Sequence, residues 1–284
     1  MHNKTIIGID LGGTNIRGGL VKEKILSSVF QQRIASQGSL EEVLQQLFQL
    51  TDALIKEDVK AIGIGVPGLT DTKTGNVYDV VNIPSWKEIP LQKLMEERYQ
   101  LPVIINNDAN CFALGEFYFG KGKESNSMVG LTIGTGLGSG IIINKKLYAG
   151  NHCGAGEFGM IPYLDQYYEY YASGQFFQNV YNADGEIIFQ RATKGDAAAL
   201  KMYQEMGAHL GNAVKTILFA LDVNLIILGG SVRKASPYFL KSMWRSIQNF
   251  AFKRTAEQLE IKISELENSG ILGAAALHYD LEIK

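Results

Sequence analysis

Two short apolar runs, Ile6 to Ile9 and Ile16 to Val21, flank a tight segment, Asp10-Leu11-Gly12-Gly13-Thr14-Asn15. The pattern predicts a β-hairpin whose turn exposes backbone N–H groups and one fixed carboxylate. Glycine lets the main chain approach a ligand closely, and a row of N–H groups suits an anion such as phosphate. An Asp beside such an anion is suited to hold a cation. Mg²⁺ fits, because it binds through one or two carboxylates, waters and substrate phosphates. An ordinary hairpin without a ligand uses the same residues. The pattern then returns: Met128 to Gly134 and Gly138 to Lys146 are apolar runs around Gly134-Thr135-Gly136-Leu137-Gly138. This internal repeat predicts two domains of similar build facing each other.

The intervening chain alternates strand and helix patterns. Lys24 to Ala35 reads as a strand. Ser39 and Glu42 have capping-box spacing, and Leu40, Val43, Leu44, Leu47, Leu50 and Leu54 follow at helical period to about Glu57. Ala61 to Val66 is a buried strand stopped by Pro67-Gly68, and Thr70 to Asn82 is a loop or short hairpin. Leu91 to Tyr99 is a short helix, Pro102 to Asn106 a strand, and a helix runs from about Asn107 through Phe119. Beyond the second hairpin, Gly150 to Gln190 is mostly loop and short helix, and Asp196 to Leu221 is one long helix. Asn224 to Leu228 is a buried strand, Pro237 to Lys253 an amphipathic helix, Ile261 to Leu266 a strand and Gly270 to Tyr279 a closing helix. Such alternation indicates an α/β protein with a largely parallel portion. The expected domains are residues 1–112, joined by the closing helix 270–284, and residues 113–269.

Composition narrows the function. A chain of 284 residues can hold two domains, and its 46% hydrophobic and 20% charged residues are ordinary for a globular protein. A net charge of −2 gives no basis for a nucleic-acid partner or an anionic membrane surface. The two cysteines, Cys111 and Cys153, are too few for a disulfide framework or a Cys-rich zinc site. His152 and Cys153 adjoin, with no second pair at metal spacing. No signal peptide precedes the first strand and no apolar run reaches membrane-span length, so a cytoplasmic protein is expected.

Three glycine turns, Gly12-Gly13-Thr14, Gly134-Thr135-Gly136 and Gly229-Gly230-Ser231, each follow a hydrophobic strand. Tight strand–helix packing also uses glycine, but three such turns point to converging donors for a polyphosphate. No P-loop motif is present, and Gly134-Thr135-Gly136-Leu137-Gly138 runs into a strand, which excludes the dinucleotide fingerprint. Asp108 stands where a strand gives way to a helix. Its two readings are helix N-cap and a carboxylate at the carboxyl edge of a sheet that accepts a proton from an attacking hydroxyl. Asn107 and Asn110 flank it and suit sugar hydroxyls. Glu157 is a lone charge among small residues, a solvated loop acid or a site-facing one, and Glu169 lies in a Tyr-rich segment.

These residues together resemble the ROK family of bacterial sugar kinases and related repressors, within the actin/hexokinase/Hsp70 ATPase superfamily. Asp10-Leu11-Gly12-Gly13-Thr14 resembles the family's first phosphate motif, Leu131 to Gly140 its second, and Leu228-Gly229-Gly230-Ser231 its nucleotide-side turn. On the sugar side the resemblance rests on Gly65-Val66-Pro67-Gly68, Asn82 with Trp86, Asn107-Asp108-Ala109-Asn110 and Gly156-Glu157-Phe158-Gly159. It implies two ribonuclease-H-like (actin-like ATPase) domains closing on a substrate in the cleft between them. It further implies that Asp108 is the general base, and that Gly68, Asn82, Asn107, Glu157 and Glu169 bind the sugar. Gly12, Gly13, Thr14, Asn15, Gly134, Thr135, Gly136, Gly229 and Gly230 would contact ATP, and Asp10 would hold Mg²⁺ through water. A homodimer is the usual family state.

One segment departs from the family pattern. Many members carry a His for zinc and sugar, followed by a Cys-x-Cys-x-x-Cys cluster. Here Met160 follows Glu157-Phe158-Gly159, and Ile161 to Tyr168 holds no cysteine. No structural zinc is therefore expected, and the apolar Met160 leaves the preferred sugar open. The leading expectation is an ATP-dependent hexose kinase acting at the 6-hydroxyl, with glucose as default. N-acetylmannosamine, N-acetylglucosamine, fructose or a β-glucoside are alternatives. A sugar-responsive repressor would carry a winged helix-turn-helix before the first phosphate motif, which here starts almost at Met1. A third alternative is a protein that binds sugar without catalysis.

Overall fold

The computed structural model describes residues 4–80 and 82–280. The opening pattern forms β1 (Thr5–Leu11) and β2 (Asn15–Lys22), antiparallel, with Asp10 opposite Arg17 and Leu11 opposite Ile16. The next strand is β3 (Ile25–Arg33). Helix α1 (Leu40–Leu54) starts with the expected capping box, Ser39 accepting from the Glu42 N–H and Glu42 from the Ser39 N–H. It buries Val43, Leu47, Leu50 and Leu54 and stops short of Glu57, because Ile55 turns extended. Strand β4 (Val59–Val66) follows, then three two-residue strands, β5 (Leu69–Thr70), β6 (Val77–Tyr78) and β7 (Glu88–Ile89). Helix α2 (Leu91–Tyr99), strand β8 (Val103–Asn107) and helix α3 (Asp108–Tyr118) complete this part. The main sheet has the order β3-β2-β1-β4-β8, a meander on one side and parallel pairs β1/β4 and β4/β8 on the other.

The second sheet repeats the plan. It contains β9 (Met128–Ile133), β10 (Leu137–Ile143), β11 (Lys146–Leu147), β14 (Leu225–Gly229) and β15 (Glu260–Ile263) in the order β11-β10-β9-β14-β15, with β9/β14 and β14/β15 parallel. Between β11 and β14 the chain forms the hairpin β12 (Pro162–Tyr163) and β13 (Gln166–Tyr167), then α4 (Tyr168–Ala172), α5 (Phe176–Tyr181) and α6 (Gly185–Thr193). The long helix α7 (Ala197–Leu221) is capped by Asp196, which accepts from the Ala198 and Ala199 N–H groups. The amphipathic stretch expected from Pro237 to Lys253 divides into α8 (Ser236–Ile247) and α9 (Lys253–Gln258). Its break is where Phe250 and Phe252 turn onto Phe219 near the end of α7, with ring centroids 4.5 and 6.0 Å away.

The chain closes with α10 (Ser269–Asp280). A Cβ on Gly63 would lie 1.9 Å from the Ala274 carbonyl oxygen, so α10 sits directly on the backbone of β4. Buried His278 donates from Nε2 to the Ile62 carbonyl at 2.9 Å, which satisfies a polar ring inside an apolar layer. The chain divides into two compact units, one of Met1–Asn126, Gly140–Ala155 and Glu265–Lys284, the other of Ser127–Ser139 and Gly156–Ser264. Residues 113–126 and 140–155, expected with the second domain, cluster with the first in this division, and for residues 113–118 the reason is that they continue α3. Among the described residues no helix is long and apolar enough to cross a membrane.

Candidate active site

In the first unit, the site residues gather where strands end. Asp10 is the next-to-last residue of β1, and its carboxylate takes a hydrogen bond and ion pair from the guanidinium of Arg17 across the hairpin. A Cβ on Gly270 would lie 2.6 Å from Asp10 Oδ2, so the carboxylate also rests on the first turn of α10, where a helix favours negative charge. One carboxylate beside a glycine turn is a donor set that fits Mg²⁺, which draws its other ligands from water and phosphate. The turn is compact: Gly12 N–H donates to the Asn15 carbonyl at 2.9 Å. Asn82 packs on it, and a Cβ on Gly13 would lie 2.5 Å from the Asn82 Cβ.

The end of β8 passes into α3 without a loop, and here the cap differs from the sequence expectation. Asn107, not Asp108, is the N-cap: its Oδ1 accepts from Ala109 N–H at 2.9 Å and Asn110 N–H at 3.4 Å. Its Nδ2 donates to the Gly68 carbonyl at 3.2 Å, tying the turn after β4 to the start of α3. Gly68 has φ +127°, a backbone region that favours glycine. Asp108 is thereby the first helical residue and is half-buried. Asn110 is fully buried and donates to Asn106 Oδ1 at 2.8 Å, which removes it from the group that can reach a sugar. Under this junction lie the thiols of Cys111 and Cys153, both pushed up in pKa by burial first.

In the second unit, Gly134-Thr135-Gly136 is the turn between β9 and β10, closed by Gly134 N–H to the Gly136 carbonyl at 2.9 Å. It is held from α4 and the residues just after it. Leu137 N–H donates to Glu169 Oε2 at 2.8 Å, Ser173 Oγ to the Thr135 carbonyl at 2.9 Å, and Gly174 N–H to the Gly134 carbonyl at 2.7 Å. Glu157 reaches solvent, yet its carboxyl is raised above the usual range by surrounding protein and then by the charge of Glu169. The two carboxylates therefore feel each other. Gly229 ends β14, and Gly230, at φ +78°, would drive a Cβ to 2.2 Å from the Ile133 carbonyl oxygen. Gly134, Thr135 and Ser231 line a cleft of about 500 Å³, a volume suited to a small-molecule ligand.

Sequence reading missed other residues of that cleft, among them Gln175, Phe177, Gln178, Phe189, Tyr203 and Lys234. They come from four separate segments, so no local spacing marks them; only the proximity of glycine turns could have pointed there. The shortened segment after Met160 is organised by aromatic contacts. Tyr163 stacks on Tyr168 at 4.3 Å, and its hydroxyl meets His209 Nδ1 at 3.1 Å and Asn212 Nδ2 at 2.7 Å. Met160 is exposed.

The chain is similar to known proteins over nearly its whole length. The family model described as ROK family matches residues 6–280. A glucokinase of Halalkalibacterium halodurans is 29% identical over 98% of this chain and 96% of its own. The crystal structure of a ROK family glucokinase from Streptomyces griseus in complex with glucose and AMPPNP is 28% identical, with a TM-score of 0.82 over 96% of this chain and 98% of that one. A xylose repressor of Caldicellulosiruptor bescii is 28% identical over 96% of this chain and 77% of its own.

Proposed function

The chain belongs to the ROK family, and on that premise we propose that it is an ATP-dependent sugar kinase that phosphorylates a hexose, with glucose as the default, at the 6-hydroxyl. One observation carries the reading beyond the family. Asp108 follows the parallel strand β8 directly, at the edge where α/β proteins hold ligands; Asn107 is the N-cap, and Asp108 Oδ1 shares the Ala109 N–H at 2.8 Å, which holds the carboxylate at that edge.

In this reading Asp108 accepts the proton of the sugar hydroxyl as its oxygen attacks phosphorus. Asn82, Asn107, Glu157 and Glu169 orient the sugar, with Gly68 shaping the pocket through its bond to Asn107. Carboxylates and amide oxygens suit this task, because a sugar offers them many O–H donors. The turns at Gly12-Gly13-Thr14-Asn15, Gly134-Thr135-Gly136 and Gly229-Gly230 receive the nucleotide. When bound, Mg²⁺ supplies charge neutralisation to the phosphates, and Asp10 would hold it. The cleft beside Gly134 and Ser231 accepts the nucleoside, its Phe177, Phe189 and Tyr203 rings giving apolar surface and Gln175 and Gln178 amides giving polar contacts.

A coupled ADP-release assay across glucose, fructose, mannose, N-acetylglucosamine, N-acetylmannosamine and a β-glucoside tests the reading. Phosphorylation of glucose, with the product identified as the 6-phosphate, is the expected result. Sugar binding without turnover on any member would replace the kinase by a sugar sensor.

A further inference from the structure

We propose that Glu169 and Ser173 tie sugar occupancy to the geometry of the phosphate turn Gly134–Leu137, so that sugar and nucleotide bind cooperatively. The inference rests on the kinase reading above and adds a positioning role that runs within one unit.

Three hydrogen bonds carry it. The Glu169 carboxylate receives the Leu137 N–H at 2.8 Å, the Ser173 hydroxyl donates to the Thr135 carbonyl at 2.9 Å, and Gly174 N–H donates to the Gly134 carbonyl at 2.7 Å. Residues 169 to 174 thus hold the turn along its length. Within itself the turn has the Gly134 N–H to Gly136 carbonyl bond at 2.9 Å. Thr135 is exposed, and the space a Cβ would take on Gly134 is empty to 4 Å. At Gly136 that space is already taken, since a Cβ would lie 2.5 Å from Glu169 Oε2. Ser173 is fully buried, and its oxygen also accepts from Gln175 N–H at 3.2 Å, which fixes where its own proton points.

The sugar end of the link is the carboxylate pair. Glu169 and Glu157 repel, and a sugar whose hydroxyls donate to both relieves that repulsion while leaving Glu169 Oε2 on Leu137. A sugar therefore orders Glu169, Glu169 orders the turn, and a nucleotide meeting an ordered turn gives up less freedom on binding. Linkage requires the nucleotide to tighten sugar binding by the same factor.

Calorimetric titration of the full chain with AMPPNP and Mg²⁺, with and without saturating sugar, measures this coupling. The wild-type protein is expected to bind AMPPNP about fivefold or more tightly when sugar is present. In Ser173→Ala the gain is expected to fall below about twofold while the Kd for sugar alone stays near wild type; Tm is expected to drop, because the Thr135 carbonyl and the Gln175 N–H lose their partner. A purely structural serine would lower Tm and leave the coupling. Gly136→Ala, which acts on the partly exposed turn itself, is expected to lose the gain as well. A wild-type protein that phosphorylates sugar without coupling, or either variant with full coupling, overturns the inference and leaves the kinase reading standing. A wild-type protein that neither binds nor phosphorylates any sugar overturns both.

Discussion

Arg17 and Asp10 face each other on neighbouring strands, and the Arg17 guanidinium donates to the Asp10 carboxylate. The pair is partly solvated, with side-chain exposures of 40% and 14%. Its stability contribution is therefore small, about 0–1 kcal/mol. Its consequence is for ligands: the carboxylate is already held in place, beside the glycine turn, before a cation arrives. Asp10→Asn is expected to keep Tm within a few degrees and sugar affinity unchanged, and to raise the Mg²⁺ concentration for half-maximal rate severalfold. A magnesium titration with the wild-type requirement would remove Asp10 from the cation site.

Asp108→Asn removes the proton acceptor while preserving shape. General-base catalysis is worth about 10²–10⁴-fold, so kcat is expected to fall by that factor. Sugar binding, followed by intrinsic fluorescence or calorimetry, is expected to persist. Near-normal turnover would end the base assignment.

Glu157 makes a prediction about pH and stability. Its carboxyl is raised in the folded state, by burial first and Glu169 second. A raised carboxyl stabilises the fold fully only below the ordinary carboxylate pKa, and that contribution is lost as pH rises through the folded value. Glu157→Gln stays neutral throughout, so its Tm is expected to exceed wild type at pH 7–8 and to converge with it near pH 4. A Tm difference that is constant with pH, or largest in acid, contradicts this account. The variant is also expected to bind sugar more weakly.

The contact between β4 and α10 leaves no room at Gly63, where a Cβ would come within 1.9 Å of a helix carbonyl oxygen. Backbone on both sides cannot yield as a side chain would. Gly63→Ala is expected to cost about 3 kcal/mol, at the upper end of overpacking penalties. Chemical denaturation would show this as a lower midpoint, and a midpoint equal to wild type would mean that α10 does not sit this closely.

The segment after Met160 is held by Tyr163, Tyr168, His209 and Asn212. Among the described residues no group of three or more His, Cys, Asp and Glu side chains is placed to hold a metal ion. Chelator treatment is therefore expected to leave Tm unchanged, and elemental analysis to find no tightly bound zinc. Tyr163→Ala, in contrast, is expected to lower Tm by removing a stacked ring and two hydrogen bonds. One zinc per chain would reverse the assignment.

How much the sequence told depended on whether the cause was local. The hairpin at Asp10–Asn15, the capping box of Ser39 and Glu42, and the long helix from Asp196 were legible because short-range periodicity and capping chemistry produce them. So was the repeat of strand, glycine turn and strand, which became two sheets of the same plan. The glycine turns and Asp108 could be singled out as candidate chemistry, since three Gly turns and a carboxylate recur at the ends of hydrophobic strands, although packing and capping use the same residue types.

Tertiary structure decided the rest. It moved the cap from Asp108 to Asn107, because the Asn107 side chain bridges two segments that lie 39 residues apart. It buried Asn110 on Asn106, and it drew Gln175, Phe189, Tyr203 and Lys234 to one cleft from segments with no common spacing. It joined Glu169 to the Gly134 turn, a contact 32 residues long in sequence that no local pattern encodes. Local propensity fixes elements and turns, whereas a site is built from long-range contacts made only when those elements pack.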